Sequence, residues 1–120
     1  MVLASLMDVR DRVEHPTPVA EATELSGTQL ARLLGLSGPA YERRRLTDDF
    51  SRTQRTKLAR VVNVVDRAQR VLGGRERAQQ WLIHPNRALG SSTPLALLET
   101  REGTHRVYGI LTRIEAGAFA

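Results

Sequence analysis

No cysteine occurs among the 120 residues. Disulfide frameworks, thiolate metal sites and thiol nucleophiles are therefore excluded, and the chain suits a reducing compartment. Aromatic residues make up 4%, too few for the stacked-base platforms of single-strand nucleic-acid binders. Lysine is nearly missing: of 18 basic residues, only Lys57 is not arginine. No apolar run approaches the ~18 residues of a membrane span. Asp8 and Arg10 fall too early for the apolar core of a secretory signal. The expectation is a cytoplasmic protein with no membrane partner.

Charge is uneven along the chain. The formal net is +5, but residues 1–42 carry −3, residues 43–77 carry +7 and residues 78–120 carry +1. A basic block of this kind points to a polyanion, with DNA the first candidate. The competing reading is that arginine serves wherever a solvated cation is tolerated, and the block then touches nothing.

Hairpin signals are also missing: no Asn-Gly or Asp-Gly pair occurs and β-branched runs are short. The remaining pattern is helical, which predicts an all-α fold. Leu3, Leu6, Met7 and Val13 give a short amphipathic helix over 3–14, ended by Pro16 and Pro18. Ser26 with Gln29 forms a capping box for a helix to Leu34, and Gly35 sits where a left-handed stop belongs. Ser37 caps a further helix to about Arg45. Ser51 with Gln54 opens the longest helix, 52–72, whose stripe Leu58, Val61, Val62, Val65, Ala68, Val71 and Leu72 has helical spacing. Gly73-Gly74 stops it. A helix over 75–82 turns Ala78, Trp81 and Leu82 inward, a loop follows at His84-Pro85-Asn86, and a short turn ends at Leu89-Gly90. Thr93-Pro94 caps and starts another helix. Thr100 opens the last, with Val107, Ile110, Leu111 and Ile114 as its stripe and Gly117 as its stop.

The stretch Gln29-Leu30-Ala31-Arg32-Leu33-Leu34-Gly35-Leu36-Ser37 has the form of a helix-turn-helix. Ala31 permits close helix approach, Gly35 turns the chain, Leu36 plugs the crossing and Ser37 caps the second helix. In that motif the second helix enters the major groove. Ser37, Tyr41, Arg43, Arg44, Arg45, Arg52 and Arg55 are the candidate DNA contacts. Arg43 to Arg45 sit late in the helix, which favours phosphate over base edges. Gly38-Pro39 weakens the helix start, where a phosphate would meet backbone N–H groups. The alternative is a helix-turn-helix kept for dimerisation or scaffolding.

Catalytic signals are missing. His15, His84 and His105 share no metal-ligand spacing, and His84 reads as a loop or capping residue. Asp48-Asp49 resembles a turn, and Gly73-Gly74 lacks the strand and spacing of a phosphate loop. No enzyme activity, metal or cofactor is expected.

The remaining motif is long and ordered. It runs Trp81-Leu82-x-x-Pro85-Asn86-Arg87-Ala88-Leu89-Gly90, Thr93-Pro94-Leu95-x-Leu97-Leu98-Glu99-Thr100, Gly103, and Leu111-x-Arg113-Ile114-Glu115-x-Gly117-x-Phe119-Ala120. It resembles the toxin-binding domain of the Xre/MbcA/ParS antitoxin family, tightly over the last 40 or so residues and loosely upstream through the helix-turn-helix. Ser91 departs from a common second glycine and Ala118 from a common valine. The resemblance implies an Xre-like helix-turn-helix region over 1–72, including the long helix, joined to a toxin-binding domain over 73–120. It implies neutralisation of a RES-domain toxin that consumes NAD or transfers from it, with operator binding as a dimer or a larger complex. The implied toxin contacts are Val107, Ile110, Leu111, Arg113, Ile114, Gly117, Ala118, Phe119 and Ala120. Phe119 and the Ala120 carboxylate would enter the NAD cleft over a base packed by the Val107 to Ile114 stripe. The rival function is a free-standing helix-turn-helix regulator with no toxin.

Overall fold

The computed structural model describes residues 23–117, and the fold over them is all-α. The helix expected over 3–14 and the residues Ala118, Phe119 and Ala120 lie outside the described residues. In chain order the helices are α1 (Gly27–Leu34), α2 (Gly38–Thr47), α3 (Arg52–Leu72), α4 (Arg75–Ile83), a 3₁₀ turn (Arg87–Leu89), α5 (Pro94–Leu97) and α6 (Arg101–Glu115). Packing divides the chain into two compact units between Val62 and Asn63. The boundary falls inside α3, so the Gly73-Gly74 turn belongs to the second unit.

Every helix but α4, which starts after Gly74 with no side-chain cap, begins where a side chain accepts a backbone N–H. Ser26 Oγ accepts from Gln29 N at 3.1 Å while Gln29 Oε1 accepts from Ser26 N at 2.8 Å. Ser51 and Gln54 repeat the reciprocal pair at 3.1 and 2.9 Å. Ser37, Thr93 and Thr100 accept from Ala40, Ala96 and Gly103. Each closes one of the donors a helix start leaves open. The α1 stop is Gly35 at φ 70°. The α2 stop is Asp48, also left-handed at φ 53°, which extends α2 two residues past the expected end.

In the first unit, α1 packs on α2. Leu30, Leu33, Leu34, Tyr41, Phe50 and Leu58 are buried. The Tyr41 and Phe50 rings meet at 6.0 Å between centroids, tilted by 51°. In the second unit, α5 packs on both α4 and α6, and the 3₁₀ turn touches α6. Val65, Leu82, Leu89, Leu98, Val107 and Leu111 are buried there. Two details depart from the stripe expected of the sequence. Val64 is fully buried, so α3 buries a wider arc than its i, i+3, i+4 pattern shows. Trp81 is half-buried, while Ala78 and Leu82 beside it are fully enclosed.

Candidate functional site

The second unit is built around a stapled loop. Asn86 Oδ1 accepts from Ala88 N at 2.9 Å, Asn86 O accepts from Leu89 N and Ser91 N at 3.0 Å each, and Asn86 N donates to Ser92 O at 3.0 Å. One side chain and its own peptide groups thus fix the 3₁₀ turn. Gly90 and Ser91 leave it with φ of 66° and 65°. Serine is strained in that region, where glycine is not.

The α5–α6 corner is as tight. A Cβ on Gly103 would run into the Leu97 carbonyl oxygen and lie 2.9 Å from its carbon. Only hydrogen fits there. Thr100 holds the same corner by accepting from Gly103 N at 2.9 Å, and its carbonyl accepts from Thr104 Oγ1 at 2.7 Å. At the other end of α6, Arg67 on α3 donates to Thr112 Oγ1 at 3.2 Å and to Glu115 Oε1 at 2.9 Å. Tyr108, on the same helix, is pushed up from its usual phenol range by burial, with Arg67 opposing that shift.

The residues expected to face a toxin divide into two sets. Val107, Ile110 and Leu111 are at most 7% exposed and form the base of the unit's own core. Their side chains are thus enclosed within the unit, in which α5 and the 3₁₀ turn both pack on α6. Ile114 is half-buried, while Arg113 and Gly117 are exposed.

The basic residues of the first unit also divide. Tyr41, expected on the DNA face, is 2% exposed, so its ring is a core element and cannot meet a ligand. Its hydroxyl is buried without a hydrogen-bond partner among the described residues, and burial pushes its ionisation up. The Arg45 guanidinium pairs with Glu42, which holds the Glu42 carboxyl below its usual range. Arg44 donates to Asp49 O at 2.9 Å, and Arg55 to Asp48 O at 3.0 Å. The guanidinium groups of Arg43 and Arg52 have no such partner among the described residues, and both residues are exposed with the cap Ser37. Arg43, Arg44, Leu46, Thr47 and Asp49 line an open depression of about 400 Å³. Leu46 is 70% exposed at its edge. Sequence reasoning passed over Leu46, for its neighbours Arg45 and Thr47 gave no sign of an apolar side chain left in solvent.

Among the described residues, no group of three His, Cys, Asp or Glu is placed to hold a metal ion. No helix among them is long and apolar enough to cross a membrane.

Residues 67–117 match the family model described as the antitoxin Xre/MbcA/ParS C-terminal toxin-binding domain. The chain is Xre/MbcA/ParS-like. It is 33% identical over 94 residues to Antitoxin Xre of Yersinia enterocolitica (serotype O:8 / biotype 1B), a match covering 77% of this chain and 64% of that protein. It is 33% identical over 90 residues to Antitoxin Xre of Photorhabdus laumondii subsp. laumondii, covering 73% of this chain and 61% of that protein. The matches thus span less than two thirds of these relatives' length. In this Xre/MbcA/ParS-like chain the family match opens at Arg67, inside α3, and closes at Gly117. The Arg67–Glu115 pair joins the two ends of that segment.

Proposed function

We propose that the chain is the antitoxin of a toxin–antitoxin pair and that it neutralises a RES-domain toxin by occupation rather than by catalysis. The observation that carries the reading is the family match over residues 67–117, whose family is described as toxin-binding. The last turn of α6 and the residues after it, with Phe119 at their centre, enter the toxin's NAD-binding cleft. There the ring fills apolar volume and excludes the substrate. Val107, Ile110 and Leu111 act from behind as a packed base, and Arg113, Ile114 and Gly117 supply contact. The functional regions are 1–72 and 73–120, and the chain works in the cytoplasm as a homodimer or within a larger complex with toxin.

The first region binds operator DNA through phosphate contacts. Arg43 and Arg52 support this, since both guanidinium groups are exposed and unpartnered among the described residues. Arg44, Arg45 and Arg55 would first have to leave Asp49, Glu42 and Asp48.

Co-expression with the RES-domain protein of the same operon tests the reading. The wild-type chain restores growth, and Phe119→Asp restores little of it while remaining folded. Full neutralisation by Phe119→Asp would overturn the plug. A wild-type chain that neither binds nor neutralises that protein would overturn the antitoxin reading and favour the free-standing regulator.

A further inference from the structure

Gly109 lies in the interior of the 15-residue helix α6 and is exposed. Its backbone is not left-handed, and a Cβ built on it meets nothing within 4 Å. The fold therefore gives no reason for glycine here. Alanine would make a stronger helix without touching anything. Gly103, six residues earlier, is the opposite case, because the Leu97 carbonyl excludes any side chain there.

Within one turn of Gly109 the surface is basic, and the exposed acid of this face, Glu102, lies two turns back. The glycine's neighbours one turn away are His105, Arg106, Thr112 and Arg113, all exposed and none acidic. Arg106 and Arg113 bracket the glycine, about 10 Å apart along the axis at 1.5 Å per residue. Neither guanidinium, nor the His105 ring, has a hydrogen-bond or ion-pair partner among the described residues. Arg113 belongs to the motif by which the chain resembles its family, yet it holds nothing in the unit's own structure.

We propose that this outer face of α6 docks an acidic segment of the toxin whose main chain passes directly over Gly109. The proposal rests on the antitoxin reading above and extends its contacts from Arg113 back along α6 to Gly109 and Arg106, so that Gly109→Ala, which leaves every plug residue in place, is the variant that separates this face from the plug. A guanidinium presents a planar fork that matches a carboxylate in bidentate fashion. Two such forks around a position without a side chain let a partner backbone come close while its carboxylates are gripped on either side. Charge complementarity of this kind fixes register and speeds encounter.

The test uses the full chain and the purified RES-domain protein of the same operon. Thermal unfolding and binding are measured on the same samples for wild type, Gly109→Ala and the double variant Arg106→Glu/Arg113→Glu. The expected result is opposed signs for Gly109→Ala: a higher unfolding midpoint, but toxin affinity reduced at least tenfold. The double variant unfolds near the wild-type midpoint, loses at least tenfold in affinity, and shows a weaker dependence of affinity on salt. Wild-type affinity in either variant overturns the docking face and leaves the plug standing. Duplex DNA affinity lost in the double variant, with toxin affinity intact, overturns it in favour of a nucleic-acid surface. If the wild-type chain fails to bind the toxin at all, the antitoxin reading falls and this face falls with it.

Discussion

Arg67 reaches Glu115 across 48 residues of sequence at 2.9 Å, and the same NH₂ group bonds Thr112 one turn earlier at 3.2 Å. The last turn of α6 is thereby tied to α3. Glu115 is 57% exposed, so solvent screens much of the charge. A double-mutant cycle of Arg67→Met and Glu115→Gln should give a coupling of about 0.5 kcal/mol. Amide exchange over 112–117 should speed up in Arg67→Met more than exchange in the core of the unit. Equal effects across the unit would mean that Arg67 acts through packing of its stem alone.

Gly103→Ala should destabilise the second unit by about 3 kcal/mol, the upper end of ordinary overpacking. Backbone rather than a flexible side chain opposes the new methyl, since the Leu97 carbonyl sits where it must go. Urea unfolding checks this. A loss under about 1 kcal/mol would show that α5 can shift away from α6 at little cost.

Ser91→Gly should act in the other direction. Ser91 holds φ of 65° while its N–H donates to Asn86 O. Glycine keeps that hydrogen bond and removes a left-handed strain of about 1 kcal/mol. The unfolding midpoint should rise, and a fall would show that the Ser91 hydroxyl contributes more than its backbone costs.

Alkaline pH should weaken the fold through two tyrosines. Burial raises the ionisation of Tyr41 and Tyr108 above the ordinary value of 10.0. An unfolded phenol then ionises before the folded one, so their contribution is complete below about pH 10 and is lost as pH rises beyond it. Tyrosinate absorbance should appear late in the folded protein, and the urea midpoint should fall over the same range. Tyr41→Phe should leave stability at neutral pH unchanged or raised by up to about 1 kcal/mol, because its buried hydroxyl has no hydrogen-bond partner among the described residues.

Operator affinity, measured against salt, should single out the free guanidinium groups. Arg43→Ala and Arg52→Ala should each flatten the log–log salt slope by about 0.9. Arg45→Ala should change it less, since Arg45 is already paired with Glu42. An equal effect of all three would mean that the Glu42 pair opens on binding.

The sequence alone determined where the helices begin and several of the turns that end them. Ser26 with Gln29, Ser51 with Gln54, Thr93 with Pro94, Thr100 and Gly35 act over three residues or fewer, a range that spacing reveals. The length and order of the last motif likewise carry the likeness to the Xre/MbcA/ParS antitoxins. Tertiary structure decided which side chains remained available. It withdrew Tyr41 into a core with Phe50, placed Val107 and Leu111 behind the surface, and added Val64 to the buried arc of α3. It engaged Arg44, Arg45 and Arg55, left Arg43 and Arg52 open, and set Gly103 against Leu97. Many of these outcomes depend on which surfaces pack together, and a linear pattern of apolar and charged residues carries no record of a neighbour such as Glu115 beside Arg67.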